Sequence, residues 1–152
     1  FGRYFGCEDW DGKIHDYGEG CACPMGALAR EFIEKLKADG MQVIVDTDAG
    51  IEHFGRGVEA GSDRIVVVID PSFESVQLSE KISEMGAKIN KPVCFILNRM
   101  NEDAAELSSL VDGKKVIGSV PFDRDVFQAC LKGSLVPQLA EMKEIVDRLL
   151  AE

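Results

Sequence analysis

The sequence predicts an α/β protein with a mostly parallel sheet flanked by helices. Its strongest apolar runs are short, rich in β-branched residues and closed by turn residues, and segments with helical spacing of apolar residues alternate with them. This alternation favours parallel strands joined by helical crossovers. The run at 64–70 is apolar at almost every position, which is typical of a strand covered by helices on both faces.

The elements follow in chain order from Pro24. Apolar residues at helical spacing predict a first helix that begins at Pro24 and ends near Gly40. The predicted strands are residues 43–45, 64–70, 93–98 and 116–118. Four helices are predicted after the second strand. The first is capped by Ser72, the second is a short helix near 103–110, the third covers 123–131, and the last lies in the final segment. The expected apolar stripes are Leu78, Ile82, Met85 and Ile89 in the first of these, and Leu139, Met142, Val146, Leu149 and Leu150 in the last.

Length and composition predict one folded domain with an amino-terminal arm. A chain of 152 residues is long enough to bury a core. Residues 1–23 are glycine-rich and irregular, so we assign them to an arm and residues 24–152 to a single α/β domain. The chain begins with Phe1 rather than Met and has no signal-like segment, so we expect it to be a piece of a longer protein.

Charge and cysteine content exclude several functional classes. The net charge of −10 disfavours binding to nucleic acid, because that affinity depends on clustered Lys and Arg, and Lys114-Lys115 is the only adjacent basic pair. No apolar stretch reaches the roughly 18 residues of a membrane span. Five cysteines, an odd number in a chain with an aliphatic core, argue against a secreted disulfide framework and predict a reducing, cytoplasmic location.

The segment from Val43 to Glu52 holds the most informative motif. It reads as a buried strand that ends in Asp46 and Asp48, followed by Gly50. Ligands of parallel α/β sheets bind at the carboxyl ends of the strands. An acid there can hold Mg²⁺ against a nucleotide phosphate, and a glycine permits close approach of the backbone. The plainer alternative is that the two acids cap a turn. The companion phosphate loop, G-x-x-x-x-G-K-S/T, does not occur in the sequence.

Two further groups of residues have candidate chemistry. Cys21 and Cys23 supply two thiolates, and a two-fold axis through the pair would supply the four that a soft divalent ion prefers; the alternative is two free thiols. Cys94 and Cys130 are interpreted as core packing.

Asn98-Arg99, after the third strand, can read the edge of a purine, or Asn98 can simply form a turn. Residues 120–123, with Pro121 among them, follow the fourth strand; their backbone groups can line the same base pocket, or they can simply form a strand-to-helix turn.

Together these segments resemble the MinD/nitrogenase-iron-protein group of dimeric P-loop ATPases, and within it the CooC-type factors that mature carbon monoxide dehydrogenase by nickel insertion. The residues that carry the resemblance are Gly20–Arg30, Val45–Gly57, Asp70-Pro71 with the following helix, Asn98-Arg99 and Val120–Asp123. The family's first strand, its phosphate loop with two lysines and its switch Asp are not in this sequence. The resemblance therefore implies an incomplete P-loop-NTPase-like fold with exposed strand edges.

The resemblance also implies roles for individual residues. Asp46 matches the acid of the Walker-B-like strand, and Asp46 and Asp48 would be the catalytic acids. Asp46, Gly50, Asn98, Arg99 and Pro121 would contact ATP or ADP with Mg²⁺, and Asn98 would read adenine. The last implied roles belong to Cys21 and Cys23, which would bind nickel or zinc across the interface of a homodimer.

The function implied is that of the carboxyl-terminal part of an ATP-dependent nickel-insertion factor, with carbon monoxide dehydrogenase or a similar nickel enzyme as its partner. The parent protein would be an ATPase, whereas phosphoryl transfer needs the phosphate loop that this chain does not contain. The alternative is a non-catalytic metal-binding or scaffold domain that dimerises through the C-x-C segment. A receiver- or flavodoxin-like module would need acids clustered near the start of the chain, and Asp9 and Asp11 lie in irregular sequence.

Overall fold

The computed structural model describes residues 32–36, 42–47, 51, 54, 58–102 and 106–151. The chain separates into two compact units, Phe1–Ser62 and Asp63–Glu152. In the first unit the described elements are a helical segment at 32–36 and the short helix α1, Val58–Gly61. The predicted boundary between an arm and a domain at 23/24 lies outside the described residues, so that division stays a prediction.

The second unit alternates strands and helices. Its strands are β1 (Ile65–Ile69), β2 (Val93–Met100) and β3 (Val116–Pro121). Its helices are α2 (Phe73–Lys88), α3 (Leu107–Leu110), α4 (Arg124–Lys132) and α5 (Ala140–Leu150). Each predicted strand from residue 64 onwards is therefore confirmed, and β2 and β3 run two to three residues longer than predicted.

The three strands form a parallel sheet in the order β1-β2-β3. Val66 lies opposite Cys94 and Val68 opposite Ile96, so the register between β1 and β2 is regular. The register between β2 and β3 shifts twice, between Phe95 and Ile96 and between Leu97 and Met100. The predicted parallel α/β architecture is confirmed.

Local capping chemistry sets the ends of the helices. The Ser72 hydroxyl accepts a hydrogen bond from the Ser75 backbone N–H at 3.2 Å, which confirms the predicted cap of α2. The Asp123 carboxylate accepts one from the Val126 N–H at 2.8 Å and caps α4. Helix α4 ends at Gly133, whose φ of 61° is left-handed and suits glycine.

Helix α2 packs on one face of the sheet. A Cβ added to Gly86 of α2 would meet the Val93 side chain and lie 3.7 Å from Ile65 Cδ1. On that face Val67 and Ile69 are buried, and Ser79 and Ile82 of α2 are buried as well. Small side chains on α2 thus allow the helix to approach the ends of β1 and β2.

Helix α5 packs on the opposite face. Its Ile145 joins Cys94, Ile96, Ile117 and Val120 in one buried cluster, with Leu139 and Leu149 packed against it. Two arginines attach the helix to the sheet through backbone carbonyls. Arg148 donates to the Ile117 carbonyl at 2.6 Å, and Arg64 donates to the Leu149 carbonyl at 3.0 Å.

The prediction of a buried strand at 43–45 is wrong. Residues 42–47 are described, and they adopt neither helix nor strand. Ile44 is 81% exposed, and Val43 and Val45 are exposed as well. An apolar, β-branched run favours a strand only when a neighbour pairs with its backbone N–H and C=O groups, and these residues form no ladder.

Three smaller predictions also need correction. The prediction of a β1 covered on both faces is wrong, because Val66 and Val68 are 41% and 55% exposed. In α5 the residue at the centre of the buried face is Ile145, whereas Met142, Val146 and Leu150 are exposed. Cys94 is buried as predicted, but Cys130 is exposed and is not core packing.

Two predicted helices include residues outside the described part of the chain and are confirmed only in part. In the helix predicted between Pro24 and Gly40, residues 32–36 are helical, with Ile33 and Leu36 buried and Phe32 exposed. The predicted helix near 103–110 is represented by the four residues of α3. In the described parts of the chain, no helix has the length and apolar character needed to cross a membrane.

Candidate nucleotide site at the carboxyl edge of the sheet

The carboxyl ends of β1, β2 and β3 bring three predicted site residues to one edge of the sheet. Asn98 and Arg99 lie in the last three residues of β2, and Pro121 is the last residue of β3. Pro121 lies opposite Met100, and the Phe122 N–H donates to the Met100 carbonyl at 2.9 Å. Because the strands are parallel, these residues share the edge at which ligands of α/β sheets bind.

Asp70, the first residue after β1, contacts Asn98 directly. The Asn98 Nδ2 group donates a hydrogen bond to Asp70 Oδ1 at 2.8 Å. Both residues are half-buried. In the described part of the chain this is the one hydrogen bond made by the Asn98 side chain, so its Oδ1 atom and its second Nδ2 hydrogen are available to a ligand.

Asp70 has two further contacts at this edge. Its backbone N–H donates to the Ser75 hydroxyl at 3.1 Å, which ties the end of β1 to the first turn of α2. Its Oδ2 atom lies 3.6 Å from Arg99 NH1. The two side chains of this ion pair are 43% and 62% exposed, so solvent screens the attraction and its contribution to stability is small.

Arg99 owes its direction to an irregularity in β2. Its φ of 54° is left-handed, a conformation that disfavours residues other than glycine. The register shift between Leu97 and Met100 falls at the same place. Bulges of this kind redirect side chains next to binding sites. The distorted backbone thus places the guanidinium group beside Asp70 at the carboxyl edge.

An exposed aromatic pair borders the same edge. Phe122, which follows β3, is 51% exposed, and its ring centroid lies 6.1 Å from that of Phe127 in α4. The Asp123 cap between them fixes the start of α4. The edge therefore combines an amide, a carboxylate and a guanidinium group with a neighbouring apolar surface.

The remaining predicted site residues divide into two groups. Asp46 is described and exposed, in the unit Phe1–Ser62. Asp48, Gly50, Cys21 and Cys23 lie outside the described residues, so their predicted roles stay predictions. In residues 32–36, 42–47, 58–102 and 106–151, no three His, Cys, Asp or Glu residues gather as a metal-binding group.

The sequence predicts no role for Asp70 in the site, and Asp70-Pro71 contributes only as a motif of the resemblance. The signal that could identify Asp70 is an acid placed directly after a buried strand, the same signal that predicts Asp46 as a site residue. Its contact with Asn98 spans 28 positions of sequence and follows only from the pairing of β1 with β2.

Comparison with known proteins identifies the family. The chain is 51% identical over 141 residues to an uncharacterized ATP-binding protein of Methanocaldococcus jannaschii, a match that covers 91% of this chain and 57% of the relative. It is 34% identical over 116 residues to the carbon monoxide dehydrogenase accessory protein CooC of Rhodospirillum rubrum, with 74% of this chain and 44% of CooC covered. The chain belongs to the CooC/MinD-type P-loop ATPase family.

The comparison with solved structures agrees with a MinD-like fold. The MinD cell division protein of Aquifex aeolicus superposes with a TM-score of 0.66 at 16% identity, over 82% of this chain and 60% of MinD. At that identity the likeness concerns the fold alone. No family model matches the chain. The chain spans about half the length of the curated CooC/MinD-type relatives that it matches.

Proposed function

We propose that the carboxyl edge of the sheet is the adenine-binding side of an ATP or ADP site in a CooC-type metallocentre-maturation factor. The observation that supports this most is the cluster of Asp70, Asn98 and Arg99 at the carboxyl ends of two adjacent parallel strands. That edge is where α/β sheets bind nucleotides. Two relatives of this chain are ATP-binding or CooC proteins by name.

Each residue of the cluster has a chemical task in this proposal. Asn98 uses its free amide oxygen and remaining N–H to bind the adenine edge. Backbone groups around Pro121 line the base pocket, and the neighbouring Phe122 adds exposed apolar surface. Arg99 contributes a cation close to where the nucleotide binds, beside Asp70.

A separate proposal concerns the acidic segment, which would bind Mg²⁺. Asp46 offers an exposed carboxylate, the hard oxygen ligand that Mg²⁺ prefers. Mg²⁺ would neutralise charge on the phosphates. Asp48 is proposed as the second catalytic acid, and Gly50 as the position where the backbone approaches the phosphates.

The proposed cargo is nickel, with zinc as the alternative ion at the same thiolates. We propose that Cys21 and Cys23 from two copies of the chain form the metal site of a homodimer, because two thiolates from one chain leave a tetrahedral ion incomplete. The client would be carbon monoxide dehydrogenase or a similar nickel enzyme. The odd number of cysteines, five, disfavours a disulfide framework and supports a reducing location, which we propose to be the cytoplasm.

Calorimetric titration with ADP and Mg²⁺ tests the nucleotide proposal. It compares the protein as its gene encodes it with Asn98→Ala and with Gln77→Ala, which removes an exposed amide from α2. We expect Asn98→Ala to weaken ADP binding by about tenfold, since a bidentate contact to a base is worth about 1–3 kcal/mol. Gln77→Ala should bind like the parent. Equal affinity in all three proteins would remove Asn98 from the site.

Metal titration tests the thiolate proposal separately. The double variant Cys21→Ser/Cys23→Ser should lose high-affinity nickel or zinc binding, whereas Cys130→Ser, which removes an exposed thiol, should retain it. Unchanged binding in the double variant would reject the site. A protein that binds metal through these cysteines but never binds ATP or ADP would instead be a metal-carrying scaffold.

A further inference from the structure

The Asn98 side-chain amide has two chemically different ends, an oxygen and an NH₂ group. The neighbouring Asp70 determines which of them faces its carboxylate. The side-chain oxygen only accepts hydrogen bonds, while the NH₂ group only donates them. An ionised carboxylate accepts and never donates. A 2.8 Å contact with Asp70 therefore requires the NH₂ group of Asn98 to face Asp70, as the structure has it.

Asp70 is itself held in place at three points. The Ser75 hydroxyl accepts a hydrogen bond from its backbone N–H, and Pro71 follows it directly. Its two carboxylate oxygens have different partners: Oδ1 faces Asn98, and Oδ2 faces Arg99. The backbone tie to Ser75 and the hydrogen bond to Asn98 thus place a carboxylate acceptor beside Asn98, and the screened ion pair with Arg99 adds little.

We infer that Asp70 is a positioning residue that gives the site its preference for adenine over guanine, by preventing the Asn98 amide from turning over. This inference rests on the proposed nucleotide site. With its NH₂ group held by Asp70, Asn98 presents its oxygen together with one N–H to the ligand. The Watson–Crick edge of adenine offers the matching pattern, an exocyclic N6 amine that donates beside a ring nitrogen, N1, that accepts.

Guanine offers the opposite pattern at its Watson–Crick edge, where O6 accepts and N1–H donates. Its O6 atom would therefore meet the Asn98 oxygen with two acceptors face to face, and its N1–H would meet the Asn98 N–H with two donors. A freely turning Asn amide matches either base, because rotation exchanges its donor and acceptor ends. Only an Asn that is held in one orientation discriminates, and Asp70 is the residue that holds it.

The variant Asp70→Asn tests this inference with little change of shape. An Asn at position 70 presents either a donor or an acceptor, so it pairs with either orientation of Asn98. Glu74→Gln is the matched control, because it also removes one carboxylate charge, from the exposed first turn of α2. Dissociation constants for ADP and GDP with Mg²⁺ are measured for the parent protein and both variants.

The expected result is a change in the ratio of the two constants. We expect the preference for ADP over GDP to fall by about tenfold in Asp70→Asn and to stay unchanged in Glu74→Gln. If the parent prefers ADP and Asp70→Asn weakens the binding of ADP and GDP equally, then Asp70 is not the source of the specificity, although the nucleotide site stands. A parent that binds neither nucleotide would reject the site and this inference together.

A second measurement needs no nucleotide. The side-chain NH₂ hydrogens of Asn98 should exchange with solvent more slowly in the parent and in Glu74→Gln than in Asp70→Asn, where the amide is free to turn over. Equal exchange in all three proteins would show that Asp70 does not hold the amide, and would overturn the inference.

Discussion

The side-chain nitrogen of Asn98 lies 2.8 Å from Asp70 Oδ1 and joins the carboxyl ends of β1 and β2. The contact pairs a residue that the sequence marks as a base reader with an acid that it leaves without a role. Parallel pairing of Ile69 with Leu97 brings the two strand ends together. The arrangement of the candidate site therefore depends on the register of the sheet, and each of its residues can be tested separately.

The left-handed backbone at Arg99 predicts an unusual order of variant stabilities. Arg99→Gly and Arg99→Val both remove the ion pair with Asp70, which is screened by solvent. Glycine accepts a φ of 54°, whereas a β-branched residue is strongly disfavoured there. We expect Arg99→Gly to be more stable than Arg99→Val by at least about 1 kcal/mol in urea unfolding. Equal free energies of unfolding would mean that the backbone at 99 is not left-handed in solution.

Close packing of α5 on β3 predicts a penalty at Gly118. A Cβ at this position would lie 2.5 Å from Ile145 Cγ1, a side chain with little freedom to move. We expect Gly118→Ala to lower the free energy of unfolding by about 1–3 kcal/mol. The measurement is equilibrium denaturation followed by circular dichroism.

Ile145→Ala supplies the control for that clash. Alone it should cost about 2–5 kcal/mol, because Ile145 lies at the centre of the buried cluster. The double variant should be more stable than the sum of the two single losses predicts, since the added methyl group fills space that Ile145 vacates. Strict additivity would contradict the proposed contact.

The cap of α4 predicts a difference between two substitutions at Asp123. Asp123→Ala removes the acceptor for the Val126 N–H and should cost about 1 kcal/mol of stability. Asp123→Asn keeps a side-chain oxygen at the cap and should lie within about 0.5 kcal/mol of the parent. Thermal unfolding of the three proteins checks this order. Similar losses in both variants would point to the charge of Asp123, not its hydrogen bond.

Much of the fold was predictable because its signals are local. The β-branched run at 65–69 is closed by Asp70-Pro71, and the Ser72 cap starts the next helix at once. The run at 43–45 carries a similar signal but forms no strand. Strand formation depends on a pairing partner, and local composition does not reveal one.

The less predictable features depend on contacts between distant residues. In α5 several apolar residues satisfy helical spacing, so the sequence does not show that Ile145, facing Gly118, is the buried one. The positive φ of Arg99 follows from a register shift against β3. The pairing of Asn98 with Asp70 depends likewise on strand order. The sequence thus predicts Asn98 and Arg99 as residues of the candidate site, but not the carboxylate of Asp70, which contacts both.

The most direct test of the nucleotide site is a map of ADP binding by backbone amide NMR. Addition of ADP and Mg²⁺ to the protein as its gene encodes it should shift the amide signals of Asp70, Asn98, Arg99 and Phe122, at the carboxyl edge of the sheet. Ile65, Val93 and Val116 begin the same strands at the opposite edge, and their signals should stay in place. Shifts confined to that opposite edge, or no shifts at saturating ADP, would contradict a nucleotide site built on Asn98.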